Sequence, residues 1–155
     1  MDILRSALEQ GMAHVFGQLQ ELDRAPSPDA EEVEPGPMVC STLRIGGDRP
    51  GRLSLQVTRR LCVKIVSLLF PGVPANQEAI EDAACELLNM ASESTRTLLI
   101  QRELNFDVGP PSLVDTDPCV LPPDAIVLRA EHLGETLTLW FTDRTSEEPA
   151  TTKDG

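Results

Sequence analysis

Apolar residues recur through the first twenty-two positions at Ile3, Ala7, Leu8, Met12, Val15, Leu19 and Leu22. This mixture of three- and four-residue steps predicts an amphipathic helix over residues 2–22. Gly11 and Gly17 each weaken such a helix by about 1 kcal/mol, so it needs a surface to dock on. Residues 25–37 change character: they are rich in proline and glutamate, lack apolar periodicity and read as a linker. Two apolar runs follow, residues 38–45 and 53–57. They flank the turn-rich segment Gly46-Gly47-Asp48-Arg49-Pro50-Gly51, which predicts a hairpin. Thr58 stands where it can cap a helix over residues 59–69, and Pro71 and Pro74 end that helix.

A longer helix is predicted over residues 77–100. At about 100° per residue, Ile80, Ala84, Leu87, Ala91, Ser94 and Leu98 fall in a stripe roughly 90° wide, enough to cover one side of a core. Asp82, Glu86, Asn89 and Glu93 fall on the opposite face. Strand patterns then occupy residues 104–108, 112–115, 125–130 and 136–141. In the last two, Ile126 and Leu128 alternate with polar residues, as do Leu137, Leu139 and Phe141. His132-Leu133-Gly134-Glu135 joins them as a hairpin. Strands paired in hairpins, rather than alternating with helices, predict an α+β fold: a two-layer sandwich of an antiparallel sheet with the long helices on one face. The chain divides into an N-terminal helix (1–24), an acidic Pro-rich linker (25–37), a principal domain (38–142) and a polar tail without periodicity (143–155), expected to be disordered.

The chain has 155 residues, the size of one ordinary domain. Apolar residues make up 41% but aromatics only 3%, with one tryptophan and no tyrosine, so Leu, Val, Ile and Ala must build the core. Base stacking is therefore poorly supplied. A net charge of −12 and a pI near 4.5 argue further against nucleic acid or an anionic membrane as partner. A protein with a basic or metal-containing site is the better fit. Cys40, Cys62, Cys85 and Cys119 show no C-x-x-C pairing, so neither a zinc site nor a disulfide framework is indicated and reduced thiols are expected. His14 and His132 lack companions that would make them metal ligands. The strongest apolar stretch, residues 61–70, contains Lys64 and Ser67 and is too short to span a bilayer. The amino terminus lacks the pattern of a signal peptide, and a cytoplasmic location is expected.

Candidate chemistry concentrates on the polar face of the long helix. Glu86 and Asn89 are three residues apart, so both side chains can meet one foreign surface at once. An asparagine does not titrate near neutral pH; as a catalytic group it can only hold a water through its amide. Phosphoryl transfer is a reaction in which alignment of this kind suffices. A neighbouring glutamate can anchor the complex by gripping a lysine of the partner. Cys85 and Met90 border this stripe as packing residues. The alternative is a solvated helix face without chemistry. A metal-dependent hydrolase built from the carboxylates is a poorer fit, because no histidine falls near them.

Asp82, Glu86 and Asn89 resemble the motif of the CheX/CheC/FliY family of chemotaxis phosphatases: an acidic or serine residue, then Glu-x-x-Asn, then a distant proline. Asn89-Met90 is similar to a pairing in the CheX branch, and a single Glu-x-x-Asn helix is also that branch's design. Pro111 stands one residue short of the usual proline interval. The strand Gly51-Arg-Leu-Ser-Leu-Gln-Val57, the helix ending at Phe70-Pro71-Gly72 and the segment Phe106-Asp-Val-Gly-Pro-Pro111 also resemble the family, over roughly residues 38–142. The resemblance implies a CheX-like two-layer fold, a homodimer formed through an exposed edge strand, and a phosphatase acting on the aspartyl phosphate of a CheY-type response-regulator receiver domain. It further implies that Glu86 docks on the receiver's lysine, Asn89 aligns the attacking water and Asp82 orients or rims the site. The resemblance implies as well that the Mg2+ belongs to the receiver and that no cofactor is expected in this chain. Glu93 departs from the family pattern, in which a glycine is common after Asn-Met. At i+4 from Asn89 it brings negative charge toward an anionic phosphate, an effect of about 1 to 4 kcal/mol for charges 4 Å apart near a surface. That departure motivates the alternative: a non-catalytic CheX-like binding or scaffold domain in a chemotaxis, flagellar-switch or two-component assembly.

Overall fold

The computed structural model describes residues 3–22, 38–114, 125–132 and 135–143. The linker over 25–37 and the tail beyond Asp143 lie outside the described residues. In chain order the elements are α1 (Ile3–Leu22), β1 (Met38–Gly47), β2 (Gly51–Thr58), α2 (Arg59–Leu69), α3 (Gln77–Ile100), β3 (Phe106–Val108), β4 (Ser112–Leu113), β5 (Ile126–His132) and β6 (Glu135–Asp143). The bounds of α2 and α3 are those the sequence predicts. Thr58 caps α2 as expected, its hydroxyl accepting from the Leu61 amide at 3.1 Å. The polarity of Asp143 places it with the tail. It instead ends β6, because the ladder continues until Asp143 faces Gly51.

The sheet is antiparallel throughout, in the order β3-β1-β2-β6-β5, with β4 also paired to β1. β3 and β4 share one edge of β1, separated by Gly109-Pro110-Pro111. The prolines have no N–H to give to a ladder, so the edge strand is interrupted there. Gly109 and Val114 resume contact on either side, donating to the Arg44 and Cys40 carbonyls at 2.9 and 3.0 Å. β1 extends two residues past the predicted end, to Gly47, which pairs with Phe106. Gly47 has φ 93°, and a Cβ there would sit 2.5 Å from the Asn105 carbonyl oxygen.

Register sorts the two faces of the sheet. Leu43 of β1 faces Leu53 of β2, which faces Phe141 of β6; Ser41, Leu55 and Leu139 align in the same way. These rows are buried against Leu4, Leu8, Met12 and Val15 of α1, Leu61 and Ile65 of α2, and Ile80 and Leu87 of α3. All three helices therefore lie over one face, the two-layer α+β arrangement that the strand pattern predicted. The other face carries Thr42, Ser54, Thr138 and Thr142, all buried, with Thr42 Oγ1 3.0 Å from Ser54 Oγ. Cys40 shares this face and is disulfide-bonded, contrary to the expected reduced thiol. Missing C-x-x-C spacing excludes a local motif only, whereas a bridge depends on Cα–Cα proximity between distant segments. Cys62 and Cys85 are free.

α3 is the centre of the helical layer. Its buried residues extend well beyond the predicted stripe to Leu88, Ser92, Thr95 and Leu99, because α1 packs along it as well as the sheet. At Gly11 the two helices pack tightly: a Cβ there would lie 2.6 Å from Thr95 Oγ1 and 3.2 Å from the Ala91 carbonyl oxygen. The residue that weakens α1 in isolation is the one that lets it dock. Gly11→Ala is therefore expected to destabilise the protein by about 1 to 3 kcal/mol, despite better helix propensity. Urea denaturation checks this, and a stabilised variant would show that the helices have room to separate.

Candidate functional site

The site is a strip of α3 left outside by its own packing. Asn76 starts the helix, its side-chain oxygen accepting from the Ala79 amide at 2.9 Å. Ser41 of β1, fully buried, donates to the Ala84 carbonyl at 3.1 Å and pins the first half of α3 to the sheet. The C-terminal end is closed by reversed hydrogen bonds: the Leu104 amide donates to Leu99 and the Glu103 amide to Ile100, at 3.0 and 2.8 Å. Glu103 takes the left-handed conformation this arrangement requires, with φ 64°. The middle of α3 is thereby anchored on both sides.

Asp82, Glu86, Asn89 and Glu93 all lie on the outward side, as predicted. Asp82 and Glu93 are exposed, and Glu86 and Asn89 are half-buried. Leu87 and Leu88 point the other way and are 4% and 0% exposed, which fixes the rotation of the helix between Glu86 and Asn89. The two are separated by about 4.5 Å along the axis. Among the described residues, neither the Asn89 amide nor the Glu86 carboxylate has a hydrogen-bond or ion-pair partner. The buried Ser92 hydroxyl donates to the Asn89 backbone carbonyl at 2.9 Å, leaving the side-chain amide uncommitted. Met90 packs on the core, as expected.

A polar chain braces the start of the strip: Arg59 Nη1 donates to Gln77 Oε1, and Gln77 Nε2 donates to Glu81 Oε2, both at 2.8 Å. Glu93 is paired with Arg96, whose Nη1 lies 3.9 Å from Glu93 Oε1. Sequence reasoning missed Arg96, although its i+3 spacing from Glu93 was the signal. Pro111 is not part of the strip; it is half-buried between β3 and β4. No group of three or more His, Cys, Asp or Glu side chains among the described residues is arranged to hold a metal ion. None of the described helices is long and apolar enough to cross a membrane.

Two thiols report the local environment. The thiol of Cys62, a fully buried residue of α2, has its pKa pushed up to about 12 by burial, with Arg59 pulling it down and Cys85 pushing it up. Cys85, half-buried beside the strip, is raised by burial first and then by the negative charges of Asp82 and Glu81.

This sheet, with its three helices on one face, defines a class of solved structures. A CheX chemotaxis protein from Desulfovibrio desulfuricans superposes with a TM-score of 0.67 at 17% identity, covering 90% of this chain and 98% of its own. A CheC-like protein from Shewanella oneidensis gives 0.69 at 16% identity, covering 92% and 99%. The CheX–CheY–BeF3–Mg2+ complex from Borrelia burgdorferi gives 0.60 at 14% identity, covering 89% and 96%. At such identities the likeness is one of fold. Residues 39–123 match the family described as "Chemotaxis phosphatase CheX". The chain belongs to that family. No curated protein is similar enough in sequence to be matched with it.

The field around Cys85 offers a direct check on the strip. Asp82→Asn removes one of the charges that hold the Cys85 thiol protonated, so alkylation of Cys85 near pH 8 is expected to quicken. Cys62 serves as the protected control. An unchanged rate at Cys85 would mean that Asp82 points away from it.

Proposed function

We propose that this chain accelerates hydrolysis of the aspartyl phosphate of a CheY-type receiver domain, with Asn89 as the catalytic residue and Glu86 as the docking residue. What carries the reading is the Asn89 amide held beside the Glu86 carboxylate on the outward strip of an anchored helix, neither of them partnered among the described residues. Membership of a phosphatase family supports it. So does the fold shared with a CheX captured in complex with CheY.

The Asn89 amide accepts from the attacking water or donates to it, setting the water in line with the phosphorus. The water oxygen bonds to phosphorus as the bond to the aspartyl oxygen breaks. Inorganic phosphate leaves carrying both of the water's protons, and the receiver's carboxylate is regenerated. Asn89 neither gains nor loses a proton. Glu86 grips a lysine of the receiver and fixes how deeply the amide reaches. Asp82 rims the contact. The carboxylates of the strip are strung along the helix rather than gathered around a point. In this reading the Mg2+ belongs to the receiver, where it would supply charge neutralisation for the leaving phosphate. A cytoplasmic location follows from such a partner.

Phosphate release from a phosphorylated receiver tests the reading. Asn89→Ala is expected to lower the acceleration by at least about 100-fold while leaving affinity nearly unchanged. Glu86→Lys is expected to weaken binding by about tenfold or more. Tight binding with a release rate equal to that of the receiver alone would replace the enzyme with the scaffold reading.

A homodimer is part of the same proposal. β5 ends the sheet, and among the described residues no strand pairs with its outer edge. The backbone groups along such an edge favour a second copy. Sedimentation velocity is expected to give a dimer at micromolar concentration, and a monomer there would remove this part of the reading.

A further inference from the structure

The outward strip continues past Asn89. Glu93 follows after four residues and Arg96 after seven, so both stand on the same face of α3, one and two turns further on. Arg96 is the only cation in α3, which also holds Glu78, Glu81, Asp82, Glu86 and Glu93. Its Nη1 is 3.9 Å from Glu93 Oε1, with the two side chains 44% and 53% exposed. Among the described residues, neither charged end has another ion-pair or hydrogen-bond partner. A pair this exposed contributes little to stability, so its consequence lies in the field above the strip.

An aspartyl phosphate approaching Asn89 is anionic, and an unpaired carboxylate one turn away would oppose it. Paired with Arg96, Glu93 belongs to a group without net charge and is held toward the C-terminal side of Asn89. We propose that Arg96 is a positioning residue for the phosphatase reaction, keeping Glu93 neutralised and turned from the line along which the phosphoryl group reaches Asn89. This rests on the reading of Asn89 as the water-holding residue. It also accounts for how an acid can follow Asn89-Met90 without blocking the site.

The test is phosphate release from a phosphorylated receiver at low and high ionic strength. The proteins compared are wild type, Asn89→Ala, Arg96→Gln, Arg96→Lys and the double variant Glu93→Gln/Arg96→Gln. At low ionic strength Arg96→Gln is expected to slow release at saturation by about three- to tenfold, and the deficit should shrink as salt screens the exposed charge. Arg96→Lys should keep most of the rate. Adding Glu93→Gln to Arg96→Gln should restore it, a rescue that a purely structural role for Arg96 does not produce. If Arg96→Gln matches wild type while Asn89→Ala has lost acceleration, this inference falls and the phosphatase reading stands. If the double variant stays as slow as Arg96→Gln, Arg96 acts on the partner directly and the positioning role is overturned. If wild type itself gives no acceleration, the phosphatase reading fails and the inference fails with it.

Discussion

Burial of α3 between the sheet, α1 and α2 is the constraint on which everything else depends. A helix packed on so many sides has a single strip left for solvent, and the identity of the residues on that strip is then the identity of the surface. Leu87 and Leu88 are nearly inaccessible, so the helix cannot rotate to hide Glu86 or Asn89 without exposing leucine. Removing a leucine side chain from water is favourable by about 1.5 to 3 kcal/mol. Two such anchors beside Glu86 and Asn89 outweigh any gain from re-burying the pair. The rigidity that an alignment mechanism needs is supplied by core packing.

The anchors at either end of α3 serve the same purpose. Asn76 satisfies an amide at the start, Ser41 ties the first half to β1, and the reversed bonds after Leu99 return the chain to β3. Each polar contact spends a side chain or carbonyl on structure. The side chains of Glu86 and Asn89, in contrast, have no such use among the described residues. Elsewhere on the helix long polar residues bridge to their helical neighbours, as Gln77 does to Glu81.

Much of this arrangement was legible in the sequence, for physical reasons that also explain what was not. The apolar period of α3 and the cap of α2 are local, so the bounds of those helices could be read from spacing alone. The width of the buried face of α3 could not be, since Ser92 and Thr95 look polar until α1 and Gly11 are placed against them. Gly11 read as a weakness in α1 because its benefit is a contact with a residue more than eighty positions away. The division of one edge strand into β3 and β4 follows from two prolines, but which strand they flank depends on long-range pairing. The disulfide at Cys40 was invisible for the same reason. At the site, Asp82, Glu86, Asn89 and Glu93 were placed on one face by helical period. Arg96 lies at i+3 from Glu93, but spacing alone does not say whether two exposed side chains pair.

The central claim is that Asn89, presented by a fixed helix, is the group that enters a receiver's active site. The most direct measurement is the NMR signal of the Asn89 side-chain amide as the chain is titrated with a receiver carrying BeF3 as a phosphoryl mimic. The account predicts a large shift of that amide, protection from solvent exchange and contacts to the receiver's phosphorylation site, with the backbone of α3 unchanged. A complex that forms while the Asn89 amide keeps its free-state shift and exchange rate would contradict it.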